Sequence, residues 1–223
     1  MSIADNLRRV KDRISAAAER VGRSAEDIVL VAVTKTVGID RIEEALAAGV
    51  TDIGENYVQD ALAKFEAIGL RARWHMIGHL QTNKVRIAVG IFDLIQTVDS
   101  VKLAREIGKR SVAIGKTSDV LIEVNISGEE SKFGVAPDQA LDLVEEVLGI
   151  EGVRLQGLMG IAPFVDNQAV IRRSFAKLKK LWDELPIDHR VWLSMGMTSD
   201  FEIAIEEGSN MVRIGTAIFG PRV

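Results

Sequence analysis

A short apolar segment followed by a longer stretch with helical spacing recurs along this chain, and that alternation constrains the fold more than any other feature. The first apolar segment, IVLVAVTK at 28–35, is too short for a helix and too apolar for a half-exposed strand, so a strand buried on both faces is predicted. Seven more stand at 51–54, 73–78, 93–97, 119–125, 154–161, 190–194 and 210–214. Helices are predicted between them, near 40–48, 58–68, 83–89, 101–114, 137–148, 167–183 and 200–207. Ile3, Leu7, Val10, Ile14 and Ala17 or Ala18 fall at steps of three and four, which puts one further helix in front. Regular βα alternation implies a parallel sheet, and eight units in about 200 residues are what a closed (β/α)8 TIM barrel needs. An open doubly wound sheet more often uses fewer strands and carries a G-x-G-x-x-G turn after the first, and neither is present.

Composition narrows the function classes. With 47% hydrophobic residues and no Pro-rich or Ser-rich linker, residues 1–223 read as one domain with its own core. Lys plus Arg total 28 against 32 Asp plus Glu, so a chain of net charge −4 is a poor candidate for sequence-independent nucleic-acid binding, which needs a basic face. The absence of cysteine excludes a disulfide framework and a thiol nucleophile, and fits a reducing compartment. No apolar run approaches the ~20 residues of a membrane span, and the charged amino terminus has no apolar signal core. A cytoplasmic monomer without a secretory leader is expected.

In a barrel of this kind, chemistry gathers at the carboxyl ends of the strands. Lys35 follows the first strand directly; a lysine at an apolar mouth loses hydration, which favours the neutral amine that Schiff-base chemistry needs, although a solvated lysine merely ending a strand would look the same. Asn56 and Tyr57 follow the second strand and His75 to Lys84 the third. His75 and His79 bracket a strand end without a convincing third metal ligand, since His189 precedes the seventh strand. Strand seven runs into Ser194-Met195-Gly196-Met197-Thr198-Ser199-Asp200 and strand eight into Gly215-Thr216-Ala217; both loops offer glycine, hydroxyls and a helix start, the elements of a phosphate cradle. Ser199 or Asp200 could equally serve as a helix cap. Arg213, inside the apolar eighth strand, needs a partner, for which Glu55 and Glu123 are candidates. Lysine, phosphate cradle and arginine together suit a phosphorylated aldehyde with a ring, such as pyridoxal 5′-phosphate.

At these residues the sequence resembles the pyridoxal phosphate homeostasis proteins, which are similar to the barrel domain of alanine racemases. The resemblance runs through VAVTK at 31–35, GENYVQD at 54–60, WHMIGHLQTNK at 74–84, SKFG at 131–134, GLMGI at 157–161 and LSMGMTSDFEIAIEEGSNMVRIGTAIFG at 193–220. It implies that Lys35 holds the cofactor as a Schiff base, that Ser194, Gly215 and Thr216 hold the phosphate, that Arg213 faces the ring nitrogen, and that Asn56 and His75 line the pocket. Thr198 stands where the family also uses serine, so the hydroxyl is kept. An arginine at the ring nitrogen implies a weak electron sink. Racemases also draw a second base, typically tyrosine, from a further domain, whereas this chain matches only the barrel and holds one tyrosine, Tyr57. The resemblance therefore implies a non-catalytic carrier or buffer in intracellular vitamin B6 homeostasis, with PLP-dependent apoenzymes as possible recipients. The alternatives are a slow amino-acid racemase and a Schiff-base aldolase. Lys132, in the loop after strand five, is a candidate second acceptor of the aldehyde.

Overall fold

A computed structural model describes residues 2–129 and 131–221. The strands are β1 (Val29–Val33), β2 (Asp52–Glu55), β3 (Arg73–Met76), β4 (Leu94–Val98), β5 (Ser118–Val124), β6 (Val153–Gly160), β7 (Trp192–Ser194) and β8 (Met211–Ile214). Every neighbouring pair is parallel and β8 closes on β1, so the sheet is a barrel in sequential order. The helices are α1 (Ile3–Glu19), α2 (Ile39–Ala47), α3 (Val58–Ile68), α4 (Val85–Ile91), α5 (Val101–Val112), α6 (Ala140–Leu148), α7 (Gln168–Glu184), α8 (Phe201–Glu206) and α9 (Thr216–Phe219). The eight strands and the leading helix stand where the sequence pattern puts them. Two helices start late, because Thr82–Lys84 and Pro137–Gln139 form single 3-10 turns ahead of α4 and α6. Helix α9 follows the helix start expected at Gly215–Ala217, although four residues are too few to show a period.

Two cores divide the apolar residues. Outward-facing strand residues such as Ile53, Trp74, Ile95, Val120, Leu158 and Val212 are buried against the helices. Trp74 meets Phe65 edge-on at 5.5 Å, and its indole N–H donates to Gly69 O at 2.9 Å. The inner cluster is small, with Val31, Leu94, Leu121, Met159 and Met211 fully buried. Alternation along each strand puts Asp52, His75, Gln96, Glu123, Ser194 and Arg213 on the same inner side, so half of the barrel interior is polar. Gly157 permits the β6–β7 contact: its φ is +139°, and a Cβ there would lie 1.9 Å from Trp192 O.

Helix α1 begins with a capping box in which Ser2 and Asp5 bond reciprocally, and it then lies against α8 and α9. Arg13 donates to Glu202 at 2.7 Å, and Asn6 donates to Ile218 O at 3.0 Å. The leading helix thus braces the last turn of the chain from outside.

Candidate functional site

At the carboxyl end of β1 the chain is clamped before it reaches Lys35. Thr34 N–H donates to Gly54 O at 3.0 Å, its hydroxyl donates to Glu55 Oε1 at 2.6 Å, and Lys64 Nζ bridges Thr34 O and Glu55 Oε1 at 2.8 and 2.6 Å. Thr36 then takes φ +62°, and among the described residues it is the sole non-glycine with positive φ. A β-branched residue in that region costs on the order of 1–3 kcal/mol and persists only where its surroundings dictate it. The clamp and the strained turn fix the direction in which the half-buried Lys35 leaves the strand.

Lys35 lines a cavity of about 540 Å³ together with Thr36, Arg41, Phe164, Met197–Ser199, Arg213, Gly215 and Thr216. Among the described residues of this lining, Lys35, Arg41 and Arg213 are cationic and no carboxylate is present. Two loops form much of its wall. In the first, Gly196 has φ +95°, and a Cβ there would meet Ala204 Cβ at 2.5 Å, so only glycine lets the loop close on α8. Asp200 Oδ1 accepts from Met197 N–H at 2.6 Å; the carboxylate closes the loop and makes no side-chain cap on α8. In the second loop, Gly215 precedes α9, whose first helical bonds run from Ile218 and Phe219 N–H to Gly215 O at 2.9 Å. The N–H groups of Thr216 and Ala217 come before those bonds and have no intrahelical acceptor. Arg41 ties the end of this turn by donating to Phe219 O.

Arg213 is buried at the cavity floor, with Nη1 donating to Ser194 Oγ at 2.5 Å and Nη2 to Gly160 O at 2.9 Å. Burial pushes its pKa down to about 10, against the opposing pull of Glu123 and Asp200, so it remains a cation at neutral pH. Of the two carboxylates expected as partners, Glu55 is instead held by Thr34 and Lys64. Glu123 acts on Arg213 through its field.

The site residues anticipated from sequence separate into three groups. Lys35, Arg213, Gly215 and Thr216 meet in the cavity. Ser194 and His75 are fully buried inside the barrel, where Ser194 Oγ donates to Gln96 Oε1 at 2.6 Å and the His75 ring lies between Gln96 and Asp52. Asn56 lines a neighbouring cavity of about 420 Å³ with the exposed Tyr57, His79, Lys84, Glu123 and Phe133. Lys132 is exposed beside Glu129 and lines neither cavity. His79 stacks on Phe133 at 4.0 Å, and His189 bonds Leu155 O, so the three histidines serve separate local structures. Arg41, Phe164 and Gln96 have no sequence signal of their own: Arg41 reads as an exposed helix residue, and Gln96 as one polar letter in an apolar strand.

Glu123 is buried, and its Oε2 has no hydrogen-bond partner among the described residues. Burial, with Asp99 adding repulsion and Arg213 opposing, raises its pKa from 4.5 to about 7. Between those values the folded chain keeps a proton that the unfolded chain has released, so stability falls as pH rises from about 4.5 to 7. Glu123→Gln is expected to remove up to about 3 kcal/mol of that loss, read as a flatter dependence of urea stability on pH between 4 and 8. An unchanged slope would place the carboxylate in contact with water or a cation.

A closed βα barrel with a lysine after β1 and glycine-containing loops lining a cavity after β7 and β8 has the architecture of barrel proteins in which phosphorylated ligands sit at the mouth. The family described as alanine racemase, N-terminal domain, matches residues 4–223. The chain is 45% identical to the pyridoxal phosphate homeostasis protein of Aquifex aeolicus, covering 100% of this chain and 99% of that one. A crystal structure of an unknown protein from Bifidobacterium adolescentis superposes with a TM-score of 0.93 at 44% identity, over 97% of this chain and 94% of that one. PipY of Synechococcus elongatus, solved with PLP bound, superposes at 0.82 with 32% identity, over 98% and 100%. The chain belongs to the alanine racemase N-terminal domain family and, within it, to the pyridoxal phosphate homeostasis proteins.

Proposed function

We propose that this chain binds pyridoxal 5′-phosphate reversibly in the Lys35 cavity and acts as an intracellular carrier or buffer of the vitamin, without strong catalysis of its own. The observation that carries the reading is the lining itself: a lysine, two arginines, glycine and hydroxyl loops at a helix start and, among the described residues, no acid. Such a lining fits a dianionic phosphate at Gly215 and Thr216 and a ring between Lys35 and Arg213. PipY, similar over its whole length, is solved with PLP bound. When bound, the cofactor supplies an aldehyde that a lysine amine can hold as a Schiff base.

This chain's residues do the rest. Lys35 offers the amine, Arg213 presents donors that favour an unprotonated ring nitrogen, and the two loops hold the phosphate. A racemase needs an acid or base on each face of the ring. In the described lining Lys35 is the one side chain suited to that work, since guanidinium groups are poor bases and no tyrosine, histidine or carboxylate joins them. PLP-dependent apoenzymes are the proposed recipients, and a cytoplasmic monomer is the proposed form. No described helix is long and apolar enough to cross a membrane.

Purified protein is expected to be yellow and to bleach with hydroxylamine, and to leave the chirality of alanine and serine unchanged. Racemisation in the ordinary enzyme range of ~1–10³ per second would replace this reading with the racemase one. A colourless protein that forms a reducible adduct with its substrate would replace it with the aldolase one.

A further inference from the structure

Five buried side chains cross the barrel interior in one hydrogen-bonded chain, from Asp52 near the amino end of β2 to Arg213 at the cavity. Asp52 Oδ1 lies 2.9 Å from His75 Nε2, and His75 Nδ1 lies 3.0 Å from Gln96 Nε2. Gln96 Oε1 lies 2.6 Å from Ser194 Oγ, which lies 2.5 Å from Arg213 Nη1. We infer that this chain is a one-way relay in which Asp52, His75 and Gln96 are positioning residues for Arg213. They commit the Ser194 proton away from the guanidinium, so that Ser194 meets it as an acceptor.

The direction follows from what each group can do. Arg213 can only donate, so Ser194 Oγ accepts there and its own proton goes to Gln96 Oε1. The orientation of the Gln96 amide has a second, independent anchor: its Nε2 also lies 3.2 Å from Met211 Sδ, and a thioether can only accept. With Nε2 donating on that side, His75 Nδ1 accepts and carries no proton. The ring proton then sits on Nε2 and is donated to Asp52. Asp52 ends the relay as an anion: burial pulls its pKa up, but the bonds from His75 and Thr51 and the nearby Arg73 more than offset this and leave it lowered. Each donor points from guanidinium to carboxylate, so the bonds polarise one another in one sense. Reversing any one of them would set two donors or two acceptors face to face.

The relay shows why Ser194 does not line the cavity although it ends β7 beside the phosphate loops. Its hydroxyl is committed to holding Arg213, and the phosphate is left to Gly215, Thr216 and the 197–199 loop. The inference rests on the proposed cofactor site only for what Arg213 is held against.

The test uses the full chain, isotopically labelled and freed of cofactor. The ¹⁵N shifts of His75 are expected to be pyridine-type at Nδ1 and pyrrole-type at Nε2; a pyrrole-type Nδ1 would overturn the direction assigned to the relay. In Gln96→Met, which keeps the volume without the amide, exchange of the Arg213 guanidinium protons with water is expected to speed up about tenfold, the equivalent of one charge-assisted bond. In Asp52→Asn, which keeps an acceptor but loses the charge, about threefold is expected. Exchange unchanged in either variant would remove that residue from a positioning role. The wild-type shifts decide the direction even where a variant does not fold. None of these readouts involves the cofactor, so their failure and the failure of the proposed function are separable.

Discussion

Lys35→Ala is expected to abolish the adduct that borohydride fixes between this chain and pyridoxal 5′-phosphate, reducing it from near one per chain to background by intact mass. The side chain stands half-buried at the mouth, beyond the clamp in which Thr34 and Lys64 bond Glu55 directly. The stability cost should accordingly stay near 1 kcal/mol, a Tm shift of about 2–4 °C in a chain of this size. Loss of the adduct together with the fold would make Lys35 a structural residue. A reduced adduct that persists and maps to Lys132 would move the covalent site to the loop after β5. The geometry favours Lys35, because Lys132 points its ammonium toward Glu129 outside both cavities. Noncovalent retention of the cofactor by Lys35→Ala would be compatible with the reading, since the phosphate loops do not depend on that amine.

The residues that were legible in the sequence are those whose signal is a pattern, and those that were not are defined by a neighbour far along the chain. The apolar run before Lys35 shows strand, burial and barrel mouth at once, because a strand covered on both faces has no polar alternation to confuse it. The 193–220 block puts a glycine in each of the two loops proposed to hold the phosphate, and Gly196 has the positive φ that lets its loop close on α8. His75 is different. The family resemblance implies a pocket residue there, yet strand alternation turns it inward, where its partners are Asp52, 23 residues earlier, and Gln96, 21 residues later. Ser194 shows the same limit: a serine ahead of a glycine loop reads as a phosphate ligand until Gln96, 98 residues away, is seen to take its proton. Polar order inside a barrel is set by which strands are neighbours in the ring and by their register, and a single strand's sequence carries neither. For helix α9 the start at Gly215 and Thr216 was legible but its extent was not, since four residues cannot display a helical period.

Phosphate recognition is expected to dominate affinity at this site. If the Thr216 and Ala217 N–H groups and the 197–199 loop bind the dianion, at least two charge-assisted hydrogen bonds are lost with pyridoxal, each contributing about 1.5–3 kcal/mol. Pyridoxal should then bind at least ~100-fold more weakly than its phosphate, at ~1.4 kcal/mol per decade, by fluorescence or equilibrium dialysis. Equal affinities would mean that the two loops do not form the cradle. Arg213 tests the other end of the ring. Because it is buried and bonded to Ser194 and Gly160, deleting it would leave those acceptors and Glu123 without their cation, so Arg213→Lys is the informative change. Lysine keeps the charge but loses the planar fork that can hold Ser194, Gly160 and a ring nitrogen together. Phosphate affinity should change by less than about threefold, because the loops are untouched, while the visible spectrum of the bound cofactor and its dependence on pH should shift. A spectrum unchanged across pH would assign Arg213 to bracing the barrel wall alone, and a large loss of phosphate affinity would place its guanidinium in the cradle.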